Sequence, residues 1–297
     1  MTIEKALKLS EISFDLLGNK DLEFDGLNLC NRKTIKNRIV SYVTSQSFLE
    51  SVENNKNIFA LFVKNDCHSY DELMLSRNGA VVYCDNPEAS FYKLHNYLYQ
   101  NKYYRQRDFA PIIGNNCHIS PKAIIHNNVT IGNNVTIGDN TVVRSGVTIG
   151  DNVTIGNNSV IGSEGFQIIY DEDGHPFHAP HAGSLKIEND VFIGDCVCIC
   201  VSVFEGETYI GPHVKIDNLS QIAHNCYIAE DAVVAAGVIL CGSTTIQKGA
   251  WVAPNSSILN KCIVGEASLV GLGSVVTKSV PDKSIAYGVP AKVKGSK

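Results

Sequence analysis

The chain has 297 residues and a formal net charge of −5, which leaves no basic surface for nucleic acid. No apolar run approaches the roughly 20 residues of a membrane span, so no membrane crossing is expected. The start, Met1-Thr-Ile-Glu-Lys5, lacks the apolar segment of a secretory signal, and ten cysteines without paired zinc-type spacing indicate reduced thiols; the expected compartment is the cytoplasm.

Residues 1–108 predict a small α/β domain. A short helix is expected over 3–9. Strand-like segments at 39–44, 58–63 and 80–83 alternate with polar stretches. Positions 86–103 predict an aromatic helix carrying Phe91, Tyr92, Tyr97 and Tyr99. Positions 105–111 serve as the junction.

From Ile113 the chain repeats every six residues. Ile113, Ile119, Ile125, Ile131, Ile137, Val143, Ile149, Ile155 and Ile161 lead, and the period resumes at Ile187, Ile193 and Ile199. It then runs from Ile210 to Val276. Hexapeptide periodicity specifies a parallel β-helix in which three hexads make one triangular coil and residues eighteen apart stack. About eight coils, at roughly 4.8 Å per layer, give a prism on the order of 38 Å long. The branched aliphatic of each hexad points inward, as does the valine two positions earlier at Val129, Val135, Val147 and Val153. Glycine and asparagine at the corners, as in the Asn-Asn pairs 127–128, 133–134 and 157–158, are assigned to backbone angles with φ near or above zero. The prism domain is placed at 109–278, with a C-terminal tail over 279–297.

Two interruptions break the period. Ile161 and Ile187 are separated by 26 residues where six are due. The inserted loop, 163–186, holds Phe166, Tyr170 and the histidines His175, His178 and His181. Insertions of this length in a compact prism are functional or disordered, and the aromatic and histidine content argues for order. Pro176 and Pro180 forbid a helix that would align the histidines and no fourth ligand is evident, so no metal is expected. The second interruption, Ile199 to Ile210, reads as eleven residues where twelve are due, a one-residue slip with no chemistry assigned. Cys196, Cys198 and Cys200 alternate with the inward Val197 and Ile199, so all three are expected on the outside of one strand.

The chemically suggestive segment is Lys215-Ile-Asp-Asn-Leu-Ser-Gln-Ile-Ala-His-Asn225. In hexad register Asn218 and His224 project outward from adjacent corners, and Asp217 follows the inward Ile216. A histidine beside a carboxylate and amides has the composition of a general base, although a surface histidine without a role fits the spacing equally well.

At Gln221-Ile-Ala-His-Asn225 the sequence resembles the UDP-3-O-acylglucosamine N-acyltransferases of lipid A biosynthesis. The likeness extends to Ile216-Asp-Asn, Ala235-Ala-Gly-Val-Ile239, Gly242-Ser243, Gly162-Ser-Glu-Gly-Phe166 and the return at 178–183. Enzyme prisms of this kind coil left-handed and pair into homotrimers, so the resemblance implies a left-handed parallel β-helix preceded by the small α/β domain. It makes His224 the catalytic base, Asp217 its orienting partner and Asn218 a polar group of the site. Gly165, Phe166 and Gln167 fall on the acyl-donor channel, with a backbone N–H at Gly242 as oxyanion donor. Ile39-Val-Ser-Tyr-Val-Thr-Ser-Gln-Ser-Phe48 resembles the segment that holds the nucleotide base, which assigns Tyr42, Ser45 and Phe48 to it. Serine stands where the family has asparagine, and Lys261 where it has a second active-site histidine.

The end of the chain departs from that family. Ser284-Ile-Ala-Tyr-Gly-Val-Pro-Ala-Lys-Val-Lys-Gly295 is similar to the close of CoA-dependent hexapeptide acetyltransferases, which sets Lys278 and Lys292 against CoA phosphates. The expectation is therefore an N-acyltransferase that moves an acyl group from acyl-CoA, with acetyl-CoA the expected co-substrate, to the amine of a nucleotide-linked amino sugar for surface polysaccharide or lipopolysaccharide. The alternative is the lipid A N-acyltransferase itself, with acyl carrier protein as donor. A γ-type carbonic anhydrase shares the prism, but zinc would decide for it and none is expected; a structural or ice-binding β-helix would need neither the histidine-rich loop nor the first domain.

Overall fold

The computed structural model describes residues 1–32, 34, 36–104, 108–204 and 206–297. Residues 105–107 of the expected junction, and Glu205 of the second interruption, lie outside the described residues. The chain divides into two compact units, Met1–Arg105 with Phe166–Ala182, and Gln106–Gly165 with Gly183–Lys297. Most of the inserted loop therefore groups with the first unit, although the sequence places it inside the prism domain. Among the described residues no helix is long and apolar enough to cross a membrane.

The first unit carries α1 (Ile3–Leu9), β1 (Asp15–Gly18), β2 (Gly26–Leu27), β3 (Ile39–Tyr42), α2 (Leu49–Asn54), β4 (Ile58–Lys64), α3 (Asp71–Ser76), β5 (Ala80–Cys84) and α4 (Pro87–Gln100). Its sheet has the order β1-β5-β4-β3-β2, with β2 to β5 parallel to their neighbours and β1 antiparallel on the edge. β4 and β5 are buried almost throughout, as expected of parallel strands covered on both faces. α4 starts where the sequence signals it: the Asn86 side chain accepts from the Ala89 N–H, and Pro87 fills the first turn. The same helix fastens the inserted loop. Lys93 pairs with Glu172 at 2.6 Å, Asn96 Nδ2 donates to the His178 carbonyl at 3.3 Å, and His95 Nε2 lies 2.7 Å from the Pro180 carbonyl. These polar partners for loop carbonyls explain why the loop, a hairpin of Ile168–Tyr170 and Pro176–His178, folds with residues far away in sequence.

The second unit is the left-handed parallel β-helix. Its strands form three sheets, in which Ile137 pairs with Ile155, Val143 with Ile161 and Ile131 with Ile149, each eighteen residues on. The inward aliphatics make one continuous buried core from Val129 to Ala286. The C-terminal segment is part of this structure: Ser284–Gly288 pairs with Leu269–Val270 and continues one face, and Ala291–Ser296 returns antiparallel to it. What reads as a tail is the prism's closing hairpin.

The corners follow one rule with two parts. At most corners the third residue after the inward aliphatic takes positive φ, between about 55° and 65° at Asn116, Asn134, Asn152, His213, Asn225 and Lys261. Glycines 132, 138, 150 and 156 do not have positive φ, contrary to the expectation, and are needed for a different reason. A Cβ on Gly138 would lie 2.6 Å from Asn157 Oδ1, and those on Gly132, Gly150 and Gly156 would strike Asp151, Asn189 and Asp195. Those side chains cross the glycines to accept the next corner's N–H, as Asn157 Oδ1 does from Asp139 N at 2.8 Å. Repeated along the prism, this ladder satisfies corner donors that no strand pairs.

The second interruption also differs from its reading. Ile187 pairs with Ile210, twenty-three residues on, where a regular coil needs eighteen. The chain therefore gains five residues between Ile199 and Ile210 instead of losing one. The extra length is a loop over the corner that carries His224.

Candidate active site

His224 occupies a corner of the prism, half-buried. Gly242 is eighteen residues on and stacks directly over it. A Cβ there would approach His224 Cε1 to 2.6 Å and Nε2 to 2.7 Å, so the imidazole fits only because the next coil has no side chain at this point. The Gly242 carbonyl accepts from Lys261 N–H at 3.1 Å, while its own N–H donates to no described residue. His224 Nδ1 lies 3.0 Å from Asn225 Oδ1. Asn225 Nδ2 donates to Ser202 Oγ at 2.5 Å, and the Val203 N–H donates to Asn225 Oδ1 at 3.3 Å. Ser202 and Val203 belong to the five-residue insertion. The sequence reading assigned that insertion no chemistry, because eleven residues were weighed against two hexads instead of one.

Asp217 and Asn218 stand elsewhere than expected. Asp217 is exposed, and its Oδ1 accepts from the Asn218 N–H at 2.7 Å. Asn218 Oδ1 accepts from Asp195 N at 2.6 Å and closes the corner ladder above Gly194. The amide of Asn225, not the Asp217 carboxylate, meets His224 Nδ1. The hexad count places Asp217 on an adjacent corner, but its side chain is drawn to its own backbone.

Beside this corner the three cysteines diverge. Cys196 is exposed at a positive-φ corner, Cys198 is half-buried and Cys200 is buried. Gln221 Nε2 donates to Cys200 Sγ at 3.5 Å, and Cys200 donates to the Glu164 carbonyl at 3.8 Å. Hydrogen bonds from Cys200, Ser163 and Gln221, with the charge of Arg144, hold the Cys198 thiol below its ordinary range, and Cys200 is raised in turn by its neighbour and by burial.

In the first unit, Tyr42 ends β3. Its ring lies 5.0 Å from that of Phe91, and its hydroxyl donates to Glu88 at 2.7 Å. Burial, with Tyr92 and Glu88 beside it, holds this phenol neutral well above the ordinary range. Phe48, in the turn Gln46–Phe48, packs on the cluster of Cys30, Val52 and Tyr70. Ser45 lies between them, its carbonyl held by the Tyr70 hydroxyl at 2.9 Å. Ser45 lines a cavity of about 210 Å³ with Lys64, Asp66 and Cys67. That cavity opens at the carboxyl ends of parallel strands, where open α/β sheets hold ligands. Among its described walls are neither Tyr42 nor Phe48, so the three residues expected on one base do not share this pocket.

The residues expected at the donor fall in both units of the chain. Phe166 is 84% exposed, and the Gln167 carbonyl accepts from Ala179 N–H at 2.9 Å. Gly165 ends the portion of the second unit that precedes the loop. Lys278 is exposed near the end of the prism, and Lys292 sits opposite Tyr287 in the closing hairpin. The three loop histidines separate as well: His175 lies 3.8 Å from Asp171, while His178 and His181 stack on one another at 6.0 Å.

Comparison with known proteins agrees with the fold and revises the chemistry. The bacterial transferase hexapeptide model, of six repeats, matches residues 110–145, 128–163 and 207–242. The chain is 38% identical over 130 residues to a UDP-3-O-acylglucosamine N-acyltransferase of Wolinella succinogenes, 44% of this chain and 41% of that one. It is 31% identical over 130 residues to the protein of that name from Campylobacter lari, again 44% of this chain and 40% of that one. The chain thus spans about two fifths of the length of the curated relatives it matches. A UDP-N-acetylglucosamine acyltransferase structure from Bacteroides fragilis superposes with a TM-score of 0.54 at 24% identity, over 63% of this chain and 70% of that one. One from Campylobacter jejuni gives 0.53 at 20%, over 63% and 71%. Both show the same fold. The relatives' name, UDP-3-O-acylglucosamine N-acyltransferase, matches the alternative reading and overturns the main expectation of acyl-CoA as donor, while the nucleotide-linked amino sugar as acceptor agrees with that name. The motif behind that expectation, Gly288 to Lys292, is accounted for as the turn of the closing hairpin.

Proposed function

We propose that the chain is an N-acyltransferase of lipid A biosynthesis, moving an acyl group from acyl carrier protein to the amine of a UDP-3-O-acylglucosamine. The observation that carries the reading is His224, held against Gly242 with its Nδ1 engaged by Asn225, in a chain whose relatives bear that enzyme name. His224 takes a proton from the attacking amine through Nε2. The Gly242 N–H, one coil above, is the candidate donor to the tetrahedral oxyanion. Tyr42, Ser45 and Phe48 position the nucleotide, and Gly165, Phe166 and Gln167 the acyl chain; their contribution is orientation, not chemistry. Apolar side chains in an outward row of one face, Ile124, Val142, Val160, Ile239 and Val275, support packing of copies into a homotrimer, acting in the cytoplasm.

The test is direct. Purified protein is given UDP-3-O-acylglucosamine and an acyl carrier protein thioester, and the product is weighed by mass spectrometry. One acyl group should be added to the amine, and His224→Ala should lower kcat by about 10²–10⁴ with KM little changed. No product from any acyl carrier protein, or an undiminished His224→Ala, refutes the reading.

A further inference from the structure

We propose that the closing hairpin of the prism docks on the surface of an anionic phospholipid bilayer, with its lysines at the headgroups and its apolar side chains at the acyl boundary. The inference concerns the second unit alone and does not depend on the reaction.

The charge of this segment runs against that of the chain. Positions 267–297 hold five lysines, Lys278, Lys283, Lys292, Lys294 and Lys297, and one acid, Asp282, although the whole chain carries −5. All five lysines are exposed. Asp282 is turned to the preceding coil, where its Oδ1 accepts from the Glu266 N–H at 2.8 Å. The hairpin sets the cations along its last strand. Lys292 is opposite Tyr287, and the Lys294 ammonium lies 5.7 Å from the centre of the Tyr287 ring. The Lys297 N–H donates to the Lys283 carbonyl at 2.8 Å, which brings those two residues together at the other end of the hairpin.

Apolar side chains project among these charges. Val289, in the turn, is 74% exposed, and Leu272 is 70% exposed. Both belong to one corner. Tyr287 crosses Gly271, where an added Cβ would come within 2.8 Å of the tyrosine Cβ, and the Gly288 N–H donates to Ser274 Oγ at 3.2 Å. Val293 is opposite the buried Ala286 and extends that column of the core with half its surface open.

The shape and chemistry favour a bilayer over a protein. A turn and a corner are convex, so a protein would need pockets to match each side chain, whereas a fluid interface moulds to them. Aliphatics that reach the acyl boundary, a tyrosine at headgroup depth and lysines that snorkel to phosphates compose an interfacial anchor. Every cation of the segment is lysine, a compact point charge suited to a diffuse anionic surface, and none is the arginine that a bidentate site would use.

Flotation of the full chain with vesicles tests the docking. Vesicles of phosphatidylcholine alone are compared with vesicles of phosphatidylcholine and phosphatidylglycerol in equal parts. The partition coefficient should be about 10-fold or more higher on the anionic vesicles and should fall with added salt, which screens exposed charges. Lys292→Gln combined with Lys294→Gln should lower it about 25-fold, since each lysine near the surface contributes roughly 5-fold. Leu272→Ser combined with Val289→Ser should lower it about 10-fold at unchanged charge. The lipid comparison and the salt series use wild-type protein and stand if a variant does not fold. Equal binding to both vesicles, binding to neither, or a folded double variant that binds like the wild type overturns the proposal. Capture of the chain by an acidic protein, lost in the double lysine variant and without vesicle binding, overturns it as well and assigns the surface to a protein.

Discussion

Gly242 is the position where a single methyl group should separate activity from stability. A Cβ built there lies 2.6 Å from His224 Cε1, whereas ordinary contact begins at 3.4 Å, so in Gly242→Ala the ring must give by about 0.8 Å. It cannot turn away without weakening its 3.0 Å contact with Asn225. Misplacing a reacting group by about 1 Å costs about 10²-fold, or roughly 2.7 kcal/mol of barrier. The fold should tolerate the change, because Gly242 does not have positive φ and its backbone accepts alanine. Loss of glycine freedom in the unfolded chain favours folding by about 0.4–1 kcal/mol. Single-turnover transfer to UDP-3-O-acylglucosamine should therefore slow about 100-fold, with an unchanged or slightly raised melting temperature. Full activity in a stable Gly242→Ala protein would refute the close approach as a functional constraint. A collapse in stability would refute the claim that only the imidazole has to move.

Two other groups give measurable outcomes. Burial lowers the His95 imidazole to about 4 from an ordinary 6.5, and it is held neutral between the Tyr104 hydroxyl and the Pro180 carbonyl. The unfolded chain binds this proton first, so stability present above pH 6.5 should fall as pH drops toward 4, by about 3 kcal/mol in all. Urea titrations of wild type and His95→Gln should diverge in slope over that window, and parallel slopes would exclude His95 as the source. The hydrogen bonds that hold the Cys198 thiol below its ordinary range favour its thiolate. In a brief iodoacetamide pulse read by peptide mass, it should be alkylated well ahead of the exposed Cys196, and faster reaction at Cys196 would contradict the hydrogen bonding around Cys198.

Much of the first unit was legible from local pattern. The helix at Ile3–Leu9, β4, β5 and the Asn86-Pro87 start of α4 lie where alternation and capping put them, while the two-residue β2 and the short helices α2 and α3 carry too little periodicity to be seen. The corner glycines were found but given the wrong reason. A glycine that needs positive φ and one that must let an asparagine cross from the next coil look alike in sequence.

The sequence alone determined the prism, because one aliphatic every six residues is a local requirement, and the core of Val129 to Ala286 meets it hexad by hexad. It also singled out His224, an outward residue at a corner. Only the tertiary structure decided what stands beside that histidine. Neighbours across coils depend on where the chain re-enters the stack after each interruption, and the five extra residues before Ile210 shift the three pairings that span them while leaving the period on either side intact. That shift brings Ser202 and Val203 over the corner and turns Asn225 toward His224. A linear count of hexads had no means of registering it, since hydrogen bonds between coils are set by stacking, not by spacing along the chain.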